Sequence, residues 1–387
     1  MIYFIYFLIG LSFIDMFSQL PIMSTYALDL GATTMFIGFI IGIYSFSNMI
    51  SNVFSGDFVD RLGSRIILII GLLATGLILF LYAFVTTPLQ LFIVRLLHGI
   101  SAGLLVPAAF TSLSLYKTNK SGKTMALSGA AVGFAAIFGP AFSGIVTKYY
   151  GIEWVFYIVG GLMIISGIIS PFLIKNNSSN KSNKTNQFNW SSYFDLFKNL
   201  RLNFAYTGAF TLMFSQGILA YMLPLKVADL GLDSQISGML MSVFGVVAIL
   251  FFVLPTNKLY DAFRKEYIIV VGMLLIAVSL VFLSKVELLP ILYLIMSTYG
   301  IGFALLFPSI SSLISQNSQK HERGKAYGLF YGFFSLGVVA GSTVTGMFNM
   351  TSEEAFLTGS VFLTFVSIIL LVSAKKLGKT VSLNNKM

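Results

Sequence analysis

The chain has no cysteine, two histidines and 14 acidic residues among 387. Without cysteine there is no disulfide framework and no thiolate metal site, and so few His, Asp and Glu argue against a multi-ligand metal centre. Charge is scarce as well. Asp, Glu, Lys and Arg make up 10% of the chain, against about 25% in an ordinary soluble domain. No glycine-rich phosphate loop followed by Lys and Ser/Thr is present, which excludes the usual ATP-hydrolysing machinery. What the chain does have is apolar surface: 57% hydrophobic residues, 38 Phe, 16 Met and a mean hydropathy of +0.88. This composition points to an all-α, polytopic membrane protein.

A membrane-spanning helix needs about 20 apolar residues. Cutting the chain at its charged breaks gives apolar runs at 3–27, 34–57, 66–86, 89–115, 124–147, 153–174, 202–225, 234–256, 267–284, 288–315, 325–349 and 355–374, which predict twelve spans. The first run reads as a span rather than a cleavable signal: it is long, lacks a basic leader and is followed at once by another run. Of 24 Lys and Arg, 20 fall on the side that holds the termini. Lys148, Lys226 and Lys285 fall opposite, and Arg95 lies within a span. The positive-inside rule then predicts cytoplasmic termini in the cell membrane. The net charge of +10 is thus a topology signal spread over short loops, not a nucleic-acid patch.

The polar stretch from Asn176 to Lys184 divides the chain into six-span bundles at 1–175 and 201–387, with 176–200 as a cytoplasmic linker. The bundles resemble each other at an offset of about 200. Ala27-Leu28-Asp29-Leu30-Gly31 answers Val227-Ala228-Asp229-Leu230-Gly231. Gly99 and Pro107 answer Gly300 and Pro308, and Gly139 and Gly144 answer Gly341 and Gly346. Such parallel repeats predict a pseudo-symmetric transporter with a substrate chamber at the repeat interface.

The loop after span two is the most specific string in the chain. Gly56, Asp60, Arg61, Gly63 and Arg65 match Gly-x-x-x-Asp-Arg-x-Gly-Arg-Arg/Lys, with Ser64 in place of an Arg. This resembles the cytoplasmic loop signature of the major facilitator superfamily. The resemblance implies the twelve-helix fold of two six-helix bundles, and it implies a conformational latch in which Asp60 sits against the N-terminal end of span eleven. Gly56 would permit close helix approach, Gly63 a tight turn, and Arg61 a carboxylate pair. A charged turn that merely stops translocation is the plainer alternative.

Span four carries Arg95-Leu96-Leu97-His98-Gly99, which resembles the superfamily motif Arg-x-x-Gln-Gly with His98 in place of Gln. In exporters of that family the Arg is tied to proton coupling. A buried charge needs a partner, although Arg95 could also snorkel to the nearer membrane face. His98 is either a titrating group or a neutral polar link between helices. Asp15 is the one carboxylate deep in a predicted span, and Ser12, Asp15 and Gln19 share its helix face. Counted at 1.5 Å per residue, Asp15 and His98 lie within about 4–5 Å of each other in depth. A carboxylate held between burial and a neighbouring Arg can change protonation as water access changes; the alternative is a permanent structural Asp15–Arg95 pair. Gly139, Pro140 and Gly144 on span five resemble part of an antiporter motif, and helix packing alone would also explain them.

Candidate cavity residues are Gln19, Tyr44, Asn48, Asn52, Gln216, Tyr299, Tyr327 and Tyr331, on a background of Phe and Met suited to varied apolar solutes. Asn48, Asn52 and Gln216 serve equally well as interhelical hydrogen-bonding groups. The resemblance extends over nearly the whole chain and is strongest to twelve-span drug:proton antiporters. It implies a monomeric exporter of a hydrophobic small molecule, cationic ones included, that exchanges it for protons across the bilayer with no cofactor. The alternatives are an exporter of one sugar, amino acid or siderophore-like metabolite, a lipid-handling membrane protein, and a non-transporting receptor. No catalytic constellation suggests an enzyme.

Overall fold

The computed structural model describes residues 2–114, 121–174, 196–253, 262–319 and 323–384. The described residues form helices joined by short turns and contain no strand. In a bilayer this follows from the backbone: every N–H and C=O must be satisfied within the segment, and a helix does that alone. Eleven helices are long and apolar enough to cross a membrane, and a bent pair at the N-terminus brings the number to twelve. The polar linker lies almost wholly outside the described residues.

Helix ends follow local chemistry. Thr87 accepts a hydrogen bond from the Gln90 N–H, and Pro88 occupies the first turn of Pro88–Ala102, where its missing donor costs nothing. Thr351 and Glu354 cap each other reciprocally at the start of Ser352–Asn384. Gly63 ends Thr34–Leu62 at φ +88°, a conformation that glycine adopts without strain. That helix has 29 residues, about 44 Å at 1.5 Å per residue, so its charged end extends past the apolar core.

Two apolar runs are not single straight helices. Span one is expected to be continuous over 3–27, but it breaks into Ile2–Ser18 and Met23–Asp29 with a 46° bend. Pro21 lies in the break; it has no N–H to donate and its ring clashes with a continuing helix. Span four divides after Ala102 into Pro88–Ala102 and Leu105–Ser114. Pro107 there opposes the carbonyl four residues back, at Gly103.

Packing forms two compact units. The first comprises Met1–Asn186, Ala220–Ser242 and Ser342–Asn349, and so draws on both halves of the sequence. Within it, small residues let backbones touch. A Cβ on Gly99 would lie 2.0 Å from Ser47 Oγ and 2.5 Å from the Tyr44 carbonyl, and one on Gly139 would lie 3.0 Å from Phe17 Cβ. The Cα of Gly238 would be 3.1 Å from a Cβ on Gly144, and the Cα of Gly346 would be 3.3 Å from one on Gly38.

The second unit comprises Gln187–Leu219, Val243–Gly341 and Met350–Met387, and it repeats these contacts at the duplicated positions. A Cβ on Gly300 would meet the Phe244 carbonyl at 2.7 Å, and one on Gly341 would meet the Phe214 carbonyl at 2.2 Å. The two loops with matching sequence also fold alike. Gly31 and Gly231 adopt φ of +83° and +70°, and each N–H bonds the carbonyl three residues back, at Leu28 and Ala228. The repeat in the sequence is therefore a repeat in backbone geometry.

Candidate functional site

The deepest polar cluster belongs to the first unit. Asp15 and His98 are both 0% exposed. His98 Nε2 lies 3.0 Å from Asp15 Oδ2. Gln19, one helical turn below Asp15, donates from Nε2 to Asp15 Oδ1 at 3.0 Å and accepts from Arg95 Nη1 at 2.7 Å. Arg95 uses its other donors on the backbone: Nε on the Ile40 carbonyl at 2.7 Å and Nη2 on the Ile41 carbonyl at 3.4 Å. Tyr44 closes the cluster with its ring edge-on to His98 at 5.1 Å and the Arg95 guanidinium 5.0 Å from its face. The guanidinium is thus held in the interior by fixed acceptors and an aromatic face and does not snorkel.

This geometry corrects the expected Asp15–Arg95 contact. The carboxylate pairs with the imidazole, and the guanidinium reaches it through the Gln19 amide. The reason is reach and competition. Arg95 lies three residues before His98 on the same helix, and the carbonyls of Ile40 and Ile41 capture it. Gln19, expected in the substrate cavity, is spent as a bridge and is 3% exposed.

Sequence reading misses one member of the cluster. Tyr82 Oη lies 3.0 Å from His98 Nδ1, so both imidazole nitrogens are occupied. Tyr82 stands in a short 3-10 turn, Tyr82–Phe84, at the end of span three, where one more aromatic residue in an apolar run carries no signal. Its carbonyl accepts from the Tyr26 hydroxyl at 2.7 Å.

Other candidates fall elsewhere. Asn52 Nδ2 donates to Asn48 Oδ1 at 2.7 Å within one helix. Tyr299 is fully buried and shares a 2.8 Å hydrogen bond with Ser215. Tyr327 donates to the Ser311 carbonyl, Tyr331 is 55% exposed, and Gln216 is half-buried. Tyr44 and Tyr299 thus take part in internal contacts and do not line open space, because each faces a polar partner inside its own unit.

In the loop signature, Arg61 lies 3.9 Å from Asp57 on its own helix, with both side chains exposed. Arg65 donates to the Pro171 carbonyl at the end of Ile152–Leu173. Among the described residues Gly56 does not provide the expected close helix approach: a Cβ there would meet none of them within 4 Å. The side chain of Asp60 lies outside the described residues. On span five, Gly139 and Gly144 make the close contacts given above, and the Pro140 carbonyl would lie 2.2 Å from a Cβ on Gly238.

Glu266 is the other buried carboxylate among the described residues. It sits at a helix start, with Arg264 Nη2 at 3.4 Å and Arg201 Nε at 3.7 Å, so ion pairing accounts for it. No group of three or more His, Cys, Asp or Glu among the described residues is placed to hold a metal.

Comparison with known proteins agrees with this architecture. The sequence pattern of the Major Facilitator Superfamily matches residues 5–342 and again 205–384. An uncharacterized MFS-type transporter of Methanocaldococcus jannaschii is 26% identical over 337 residues, covering 84% of this chain and 85% of its own. The multidrug resistance protein MdtG of Salmonella typhimurium is 26% identical over 332 residues, covering 83% and 82%. Among solved structures, a point mutant of the nucleoside transporter NupG aligns with a TM-score of 0.79 at 18% identity, over 96% of this chain and 98% of its own. A POT family transporter bound to 5-aminolevulinic acid aligns with a TM-score of 0.81 at 12% identity, over 97% and 96%. At those identities the two structures bear on the fold alone. With the family pattern spanning most of its length and every described span helical, the chain belongs to the major facilitator superfamily and is a multi-pass membrane transporter of small molecules, not an enzyme.

Proposed function

We propose that the protein is a proton-coupled exporter that carries a hydrophobic small molecule, cationic ones included, out of the cell by alternating access. The reading rests on one observation: a fully buried carboxylate, Asp15, bonded to a fully buried imidazole and linked through Gln19 to a buried guanidinium. Isolated charges in such a place are costly, and a transporter keeps them where they serve a proton pathway. Relatives named multidrug resistance protein MdtG support a reading of drug efflux.

The chemistry is simple. With Asp15 ionised and His98 neutral, the carboxylate balances Arg95. One added proton, held by either partner, leaves the cluster with a net positive charge. A cationic substrate and a proton then compete for one negative charge, which is the minimum that exchange requires. One proton moving down 100 mV supplies about 2.3 kcal/mol before any pH gradient is counted.

In this reading 1–175 and 201–387 act as two half-transporters joined by 176–200. The loop after span two, through Asp60 and Arg61, latches one conformation, and the basic loops and both termini face the cytoplasm of the cell membrane. The motif spacing and the distribution of Lys and Arg support these assignments.

The test is transport of a lipophilic fluorescent cation into proteoliposomes under an imposed pH gradient, comparing the parent with Asp15→Asn. The variant is expected to insert and fold and to lose proton-driven accumulation. Undiminished uphill transport would remove Asp15 from the mechanism. Accumulation of one metabolite and of no unrelated dye would favour the specific exporter.

A further inference from the structure

Tyr82 is fully buried, and its hydroxyl touches the imidazole on the side away from Asp15. The ring does not depend on that hydroxyl for its place. It stacks on Phe156 at 4.2 Å and 11°, meets the His98 ring edge-on at 5.6 Å, and its backbone carbonyl is tied to Tyr26.

The duplication supplies an internal control. A Cβ on Gly71 would meet Leu104 and Leu105, and a Cβ on Gly272 would meet Leu305 and Leu306, which fixes the register between these spans at 201 residues. At that offset Tyr82 corresponds to Leu283, also fully buried; the stacking partner Phe156 corresponds, at an offset of 200, to the buried Phe356. Packing in the second unit is satisfied by leucine. The hydroxyl occurs only in the repeat that holds an imidazole.

We propose that Tyr82 is a positioning residue that keeps His98 hydrogen-bonded in both of its protonation states. The inference rests on the proton-coupled reading above. A phenol both donates and accepts. When His98 is neutral, Nε2–H donates to Asp15 and Nδ1 accepts from the Tyr82 O–H. When a proton from water adds at Nδ1, the new N–H donates to Tyr82 Oη. The Nε2 proton then stays on the imidazolium or passes to Asp15 Oδ2, breaking one N–H bond and forming one O–H bond. Neither state leaves an imidazole nitrogen unpaired in a dry site, where an orphaned donor is expensive.

The other charged and titratable groups around the imidazole are few. They are Asp15 and Tyr26 from the first span, Tyr44 from the second and Arg95 from its own helix, with Glu153 beyond Tyr26. Arg95 also hydrogen-bonds the Tyr82 hydroxyl, so Tyr82→Phe removes that contact together with the one to His98.

The test uses the full-length protein in lipid nanodiscs with 15N-labelled histidine. The chain has two histidines, and His98→Gln identifies the resonance of interest. In the parent at alkaline pH, His98 is expected to carry its hydrogen on Nε2. In Tyr82→Phe, half-titration of His98 is expected about one pH unit lower, a tenfold change in proton concentration, because the imidazolium loses its acceptor. The pH profile of uphill transport should move in the same direction. A purely structural role would lower the rate at every pH and leave the titration where it was.

Identical His98 titrations in the two proteins would overturn the proposal. So would a parent that holds its neutral hydrogen on Nδ1 while Asp15 is ionised, a result that needs no variant. If Asp15→Asn kept uphill transport, the exporter reading would fall while the His98 spectra still decided the role of Tyr82.

Discussion

Ser215 Oγ lies 2.8 Å from Tyr299 Oη. The two residues stand 200 and 201 positions beyond Asp15 and His98, whose side chains meet at 3.0 Å. Even the aromatic lid is repeated: Phe244 meets Tyr299 edge-on at 6.0 Å, as Tyr44 meets His98. The second repeat has kept the contact and lost its charge. Replacing Ser215 with Ala and Tyr299 with Phe together is therefore expected to leave the pH dependence of transport unchanged. The stability cost should be about 1 kcal/mol for the lost neutral hydrogen bond. Transport measured across a pH series checks the first expectation, and a shifted profile would place proton chemistry in the second unit too.

Gln19 is the only bridge between the guanidinium and the carboxylate among the hydrogen bonds described. Gln19→Leu leaves Arg95 Nη1 and Asp15 Oδ1 without that partner in the interior. The expected loss is about 1–3 kcal/mol, read as a lowered midpoint of thermal unfolding in detergent. An unchanged midpoint would mean that another group satisfies both ions.

The small residues divide into two kinds. Gly99→Ala places a Cβ 2.0 Å from Ser47 Oγ and 2.5 Å from the Tyr44 carbonyl, and backbone cannot move aside as a side chain can. Overpacking of this sort costs about 1–3 kcal/mol and should disturb the helix that carries His98. Gly56→Ala, inside a helix, meets none of the described residues within 4 Å and is expected to be neutral or to stabilise by up to about 1 kcal/mol. Paired unfolding measurements on the two variants check both, and the opposite order would show that the helices approach elsewhere.

Much of the fold is readable from composition and spacing. Lengths of apolar sequence set the spans, and charges at their ends set the breaks. The offset of 200 emerges from matched glycines and the paired Asp-Leu-Gly loops. Gly63 is legible as a turn because its neighbours are charged and its position calls for a left-handed backbone. The breaks at Pro21 and Pro107 are less legible, since proline is tolerated in membrane helices and sequence does not say which one bends.

The site is legible only in part. Asp15, Arg95 and His98 stand out because charge is rare in apolar sequence, and rarity is a sequence property. Which of them touch is not. Gln19 sits four residues from Asp15 and can face it, but only the position of span four turns that amide into a bridge. Tyr82 gave no signal, because it is one of 18 tyrosines and its chemistry depends on lying beside an imidazole sixteen residues away on another element.

By itself, the amino-acid sequence determined that this chain lives in a bilayer, folds as helices, repeats itself and holds a few buried charges, because each of these depends on local composition and on spacing along one chain. Tertiary structure decided that the carboxylate pairs with His98 rather than Arg95, that Gln19 joins them, and that a phenol completes the imidazole. Hydrogen bonds form between atoms about 3 Å apart, and helix packing, not sequence spacing, brings those atoms together.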